Sequence, residues 1–225
     1  MPHLHEHHFA VTRTARYVTL GDASAPVTQV WFACHGYGQL AAPFAQNLSV
    51  LDDGTRLVVV PEALSRFYVD GGTGRHGPHS KIGASWMTRE DRLAEIEDHI
   101  SYLDALYALV FTDLARDGVE VIALGFSQGA ATVCRWLARG QARVDRVVLW
   151  GGMIPQDVLA AQGRGGLRDL PLTFVVGTRD EFVSQAALAE YRQELESHGV
   201  TAPLVTFDGG HRLDDETLRQ LTVHG

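Results

Sequence analysis

The sequence predicts an α/β protein built on a mostly parallel sheet with helices on both faces, and three observations carry that prediction. Short runs rich in valine, isoleucine and leucine alternate with longer segments of helical periodicity. Runs such as Leu57-Val58-Val59-Val60 are apolar at consecutive positions, as strands covered on both faces must be. Chemistry-bearing residues also fall where such runs end: His35-Gly36-Tyr37-Gly38, Ser127, Asp180 and His211. In an open α/β sheet, reactive groups collect at the carboxyl ends of the strands.

The elements follow in order. Residues 9–20 read as an early strand and 27–34 as a second, ending in His35-Gly36-Tyr37-Gly38. A short helix is expected over 42–51, then the buried strand 57–60, stopped by Pro61. Residues 62–85 carry many glycines and no apolar periodicity, and read as a long loop of the functional kind. Thr88, with Asp91 three residues on, is expected to open the longest helix. Leu93, Ile96, Ile100, Leu103, Leu106, Tyr107, Val110 and Leu114 supply its buried face, and Gly118 ends it. Residues 119–124 form the next strand and the stretch after Ser127 a helix. Strands at 144–150, 172–176 and 204–207 follow, with a helix over 185–196 between the last two and a final helix from near Asp214. No repeat or linker divides the 225 residues, so one domain over 1–225 is expected.

Composition narrows the function. A net charge of −8 with no basic block argues against nucleic acid or an anionic membrane as partner. No apolar run approaches the roughly 20 residues of a membrane span. The first residues lack the basic and apolar regions of a secretion signal, so a cytoplasmic location is expected. Cys34 and Cys134 sit in apolar contexts and read as buried reduced thiols. His3, His5, His7 and His8 invite a metal reading, but a cluster in a terminal segment is more simply a solvated tail, and no metal or cofactor is expected.

Gly125-Phe126-Ser127-Gln128-Gly129 is the most informative segment. G-x-S-x-G between a strand and a helix is the nucleophile elbow, a strained turn that holds a serine hydroxyl clear of the backbone. Its glycines are needed where a Cβ would strike the neighbouring strand or helix. The alternative, Ser127 as a plain helix N-cap, does not require glycine on both sides. A serine hydroxyl needs a base to take its proton, and the base needs an acid to fix its tautomer. Downstream, a strand runs into Gly177-Thr178-Arg179-Asp180, and another into Asp208-Gly209-Gly210-His211. The order Ser127, Asp180, His211 is that of such hydrolases. Glu181 and Asp208 are the rival acids; His99, His198 and His224 are the rival bases. The two oxyanion donors are expected to be the backbone N–H of Gln128 and that of Tyr37. His35 reads as a histidine that bonds the loop backbone. Phe67, Tyr68, Trp86, Met87 and Met153 are the candidates for an apolar acyl pocket, with residues 62–87 its only cover.

Together with Gly151-Gly152-Met153-Ile154-Pro155, these motifs make the chain resemble the phospholipase/carboxylesterase family of α/β-hydrolases, which includes the acyl-protein thioesterases. The resemblance covers about residues 26–221 and is most specific at Gly-Phe-Ser-Gln-Gly. It implies an α/β-hydrolase fold with no separate cap domain. It also implies a serine carboxylesterase acting on a small-molecule ester, with short- to medium-chain acyl groups expected, as a monomer or homodimer. Ser127, Asp180 and His211 would be its catalytic residues. A thioesterase or lysophospholipase using the same groups is the alternative, and a hydrolase fold kept only for binding a more distant one. In the family a proline and small apolar residues commonly follow the acid, whereas here Glu181-Phe182-Val183-Ser184 follows. Residues 67–87 do not match the eukaryotic thioesterases, so acyl-protein substrates are not implied.

Overall fold

The computed structural model of the chain describes residues 3–69, 76–160, 167, 170–183 and 185–223. In chain order its elements are β1 (Tyr17–Leu20), β2 (Gln29–Cys34), α1 (Ala41–Gln46), a 3-10 turn (Ser49–Leu51), β3 (Arg56–Pro61), β4 (Ser65–Tyr68) and β5 (Ile82–Ser85). Then come α2 (Arg92–Asp113), β6 (Glu120–Phe126), α3 (Gln128–Arg139), β7 (Arg146–Trp150) and α4 (Gln156–Ala160). The chain continues through β8 (Leu172–Gly177), α5 (Gln185–Ser197), β9 (Leu204–Phe207) and α6 (Asp215–Thr222). Seven strands form one sheet in the order β1-β3-β2-β6-β7-β8-β9. Within this sheet, among the described residues, only the β1–β3 pair is antiparallel. This is the mostly parallel sheet that the apolar runs predict.

Strand alternation divides the core between the two faces. Val30, Phe32 and Cys34 of β2 face one side, where Ile96, Ile100 and Leu103 of α2 and Val133, Cys134 and Trp136 of α3 pack. Trp31 and Ala33 face the other, against Phe44 of α1 and Leu218 and Leu221 of α6. Helices therefore cover both faces, and the described residues form no separate cap. None of their helices is long and apolar enough to cross a membrane. Cys34 and Cys134 are both free thiols in the core, where burial pushes their pKa values up.

Several expectations are corrected. Residues 9–16 are not strand; β1 begins at Tyr17. The helix expected over 42–51 splits into α1 and the 3-10 turn. Residues 62–85 are not a plain loop: β4 and β5 pair antiparallel as a small hairpin, Tyr68 opposite Ile82 and Ser65 opposite Ser85. The strands are short and carry no alternating apolar signal, so the pairing comes from tertiary contacts. The hairpin is bonded to the loop after β2 by Gly38 N–H to Ala84 C=O (2.9 Å) and Ala84 N–H to Gln39 C=O (3.1 Å). The approach is so close that a Cβ at Gly83 would overlap the Gly38 backbone. Thr88 does not cap α2. Asp91, in the left-handed region (φ +47°), precedes the helix, and Thr88 donates its N–H to Glu95 instead. Leu93 consequently falls in the first turn and is exposed.

Candidate active site

Ser127 follows β6 at φ +54°, one of two non-glycine residues among those described with positive φ. Its N–H donates to Trp150 C=O of β7 (2.8 Å), and its C=O accepts from Ala130 N–H of α3 (3.0 Å). Those two bonds fix the strained turn between strand and helix. The side chain makes no N-cap bond, so the plain capping alternative has no support in the geometry. The flanking glycines are required: a Cβ at Gly125 would overlap the Gly129 and Ala130 backbone, and one at Gly129 the Cys34 carbonyl.

Asp180 and His211 meet across the ends of β8 and β9. The Asp180 N–H bonds Gly177 C=O, and Arg179 N–H bonds Gly209 C=O, so the turn carrying the acid is tied to the glycines before His211. Asp180 Oδ2 lies 2.8 Å from His211 Nδ1, and Asp180 Oδ1 accepts the N–H groups of Phe182 (2.8 Å) and Val183 (3.2 Å). The carboxylate side chain is 1 % exposed and the imidazole 12 %. With Nδ1 donating to the carboxylate, His211 Nε2 is left as the acceptor. The ring stands between Phe126 and Phe182, each with its centroid 4.8 Å away. Phe126 is the residue immediately before Ser127, so the Asp180–His211 pair is set beside the elbow. Gly151 closes the back of the pair; a Cβ there would come 3.0 Å from His211 Nδ1 and 3.4 Å from Asp180 Oδ2.

The rival residues lie elsewhere. Asp208 is paired in solvent with Arg179 (2.6 Å), and Glu181 accepts the His211 N–H (3.4 Å) rather than a ring nitrogen. His198 bonds the Glu194 carbonyl at the end of α5, and His224 lies outside the described residues. His99 is buried behind Trp86, with Nδ1 3.3 Å from the Trp86 carbonyl. Burial pushes its pKa down to about 4, the nearby Arg135 charge adding to the effect.

The loop after β2 meets the elbow at Gly36, where a Cβ would stand 3.2 Å from Ser127 Cβ and 3.1 Å from Phe126. Among the described residues neither the Tyr37 N–H nor the Gln128 N–H has a hydrogen-bond partner. His35 is wholly engaged with backbone. Its Nδ1 bonds Gly36 C=O (2.8 Å) and its Nε2 accepts Ala63 N–H (3.1 Å), while burial lowers its pKa. It is a neutral brace for the loop.

Two features were not legible in the sequence. The Gln128 side chain accepts Trp86 N–H (3.1 Å) and donates to Met87 C=O (2.8 Å), lashing the start of α3 to the segment after β5. Glu62, its carboxylate fully buried, is held by Arg16 and Arg66 and accepts Ala41 N–H at the start of α1. Burial alone would raise its pKa, but the Arg16 and Arg66 bonds outweigh it and hold the carboxyl below its usual value.

The expected acyl-pocket residues are dispersed. Trp86 is a core residue, 2 % exposed, with its indole N–H bonded to His35 C=O (2.8 Å). Met87 is partly buried, with its sulfur 3.5 Å from the Arg135 guanidinium. Phe67 and Tyr68 are consecutive in β4 and point to opposite faces: Phe67 stacks on Tyr37 (5.1 Å) and Tyr68 on His76 (3.8 Å). Met153 packs against the core one residue from Gly152, where a Cβ would overlap the Ser127 carbonyl.

A model of the family described as Phospholipase/Carboxylesterase matches residues 17–224. The chain belongs to that family. The phospholipase/carboxylesterase family is one of ester hydrolases, and the chain is a hydrolase of the carboxylesterase or thioesterase type. No curated protein matches it significantly. Among solved structures, the fold of this phospholipase/carboxylesterase member is similar to esterase PE8 (TM-score 0.65, 23% identity, covering 93% of this chain and 97% of that one). It is similar to a carboxylesterase from Mesorhizobium loti (TM-score 0.64, 18% identity, 94% and 95%). It is also similar to acyl-protein thioesterase 2 of Zea mays (TM-score 0.63, 16% identity, 93% and 98%).

Proposed function

We propose that the chain is a serine carboxylesterase that cleaves small carboxylic esters with short- to medium-chain acyl groups. The observation that carries the reading is the Asp180–His211 pair, closed at 2.8 Å beside the strained Phe126-Ser127 turn.

In this reading Ser127 Oγ attacks the acyl carbonyl carbon while His211 Nε2 takes the hydroxyl proton. Asp180 holds Nδ1–H and stabilises the imidazolium that forms. The carbonyl oxygen gains negative charge and is met by the N–H groups of Tyr37 and Gln128. Their lack of other partners suits that role, because preorganised donors cost no rearrangement during reaction. The acyl–oxygen bond then breaks, its electron pair leaving with the alcohol oxygen, which receives the proton from His211. Water, deprotonated by His211, attacks the acyl-serine, releases the acid and returns the proton to Ser127. We assign the acyl chain to Phe67, beside Tyr37, and to Met153, beside Gly152. The buried free thiols suit a reducing, cytoplasmic setting.

The test is covalent labelling. A fluorophosphonate is expected to modify one peptide, that containing Ser127, and to leave Ser127→Ala unlabelled. Labelling elsewhere, or none in the folded native chain, would contradict the assignment.

A further inference from the structure

A cavity of about 340 Å³ opens on one flank of His211. Phe44 and Phe126 are buried in its wall, and its polar lining comes from Gln39, Asn47, Arg212 and Asp215. The expectations for an acyl pocket involve none of these residues, and the lining is wrong for a hydrocarbon chain. From this cavity we infer that the enzyme selects esters of neutral polyhydroxy alcohols, glycerol-like or sugar-like, and holds the alcohol half against His211. The inference rests on the serine-esterase reading above and names the leaving group of that same site.

Position comes first. The group that protonates the leaving oxygen must touch it, so the rest of the alcohol has to occupy space on the histidine's flank. This cavity is walled by His211 itself and by Phe126, the neighbour of Ser127. Gln39 reaches the same place, because its Oε1 accepts the Gly36 N–H (2.8 Å) at the glycine that touches Ser127.

The polar groups then decide the chemistry. Oε1 of Gln39 is spent on Gly36, but its NH2 has no partner among the described residues, and neither does the Asn47 amide or the Asp215 carboxylate. These are free donors and acceptors in one small cavity, the complement that vicinal hydroxyls need. The Phe44 and Phe126 faces suit the C–H surface between such hydroxyls. Arg212 offers little to an anion: its guanidinium is bonded to Leu213 C=O, paired with Asp214 (3.3 Å) and laid over Phe207. Asp215 in the same wall repels a phosphate. A quaternary ammonium carries no N–H or O–H and would leave the Gln39 and Asn47 amides of the wall without partners. A neutral polyol satisfies the wall without meeting like charge.

The experiment holds the acyl group constant and varies the alcohol. Hydrolysis of glyceryl monobutyrate, ethyl butyrate, butyrylcholine and butyryl glycerol phosphate is followed by pH-stat, with nitrophenyl butyrate as a control for the serine chemistry. The expected kcat/KM for the glyceryl ester exceeds that for the ethyl ester by at least about tenfold, since a site built to bond hydroxyls discriminates against their absence. The glyceryl-to-ethyl ratio falls towards one in Asn47→Leu and in Asp215→Leu, both at exposed positions, with circular dichroism to verify the fold. Equal rates for the two esters, a preference for the choline or phosphate ester, or a ratio unmoved in both variants would overturn the inference while leaving the esterase reading intact. Failure on nitrophenyl butyrate as well would remove the esterase reading and the inference with it.

Discussion

Asp180 is divided between two tasks: one carboxylate oxygen bonds His211 Nδ1 at 2.8 Å, and the other holds the Phe182 and Val183 N–H groups. The acid therefore orients the histidine and is itself oriented by its own turn. An Asp180→Asn chain can keep the Oδ1 bonds to the turn while losing the charge that fixes the His211 tautomer. Its kcat is expected to fall by roughly 10⁴-fold with little change in KM. Steady-state kinetics on a nitrophenyl ester, beside circular dichroism to verify the fold, checks this.

The Gln128 side chain supports a second prediction. Gln128→Ala leaves the Trp86 N–H without the acceptor it has here, while the Met87 carbonyl keeps the Ser85 hydroxyl (2.7 Å). The expected loss of stability is about 1–3 kcal/mol, the cost of stranding a buried polar group. Gln128→Glu, which keeps the acceptor for Trp86 but loses the donor to Met87, is expected to fall between. Urea denaturation of the three proteins orders them.

Glu62 joins three segments that flank the site: residue 16, the start of α1 and the hairpin. Its partners Arg16 and Arg66 are half-exposed, whereas its own carboxylate is buried. Glu62→Ala removes both ion pairs and strands the Ala41 N–H, and is expected to cost about 2 kcal/mol. Arg66→Ala leaves the Arg16 pair in place and is expected to cost about 1 kcal/mol or less. Thermal melts of both variants test the asymmetry.

His99 gives the pH dependence its sign. Burial holds its folded pKa at about 4, below the ordinary 6.5, so between those values the unfolded chain binds the extra proton. Stability is thus fully present above pH 6.5 and is lost as pH falls towards 4. Buried His35, lowered for the same reason, acts in the same direction. The contribution of His99 is on the order of 3 kcal/mol. His99→Phe is expected to flatten the stability profile over this window, read by denaturant titration at pH 4.5, 5.5 and 7.

The parts of this molecule that were legible in the sequence are those written locally. Consecutive apolar residues gave β2, β3, β6, β7 and β8, because a strand covered on both faces has no polar side. The glycines around Ser127 announced a turn that no side chain could share, and Leu204–Phe207 was placed with its observed ends. What stayed hidden depends on distant partners. The hairpin β4–β5 exists through Gly38, Gln39 and Gln128, none of them near it in the chain. The aromatic bulk of Trp86 is visible in sequence, whereas its burial and its hydrogen bond to His35 are not. Asp91 displaced the start of α2 through a backbone conformation that its residue type only permits. The cavity beside His211 is assembled from α1, the loop after β9 and α6, so no single stretch of sequence announces it.

The most direct test of the account is hydrolysis of nitrophenyl esters from acetate to palmitate by the native chain and by Ser127→Ala. The account predicts turnover that is best on short to medium chains and is abolished in the variant. Turnover that survives in Ser127→Ala would contradict it, as would a folded native chain that hydrolyses none of the series.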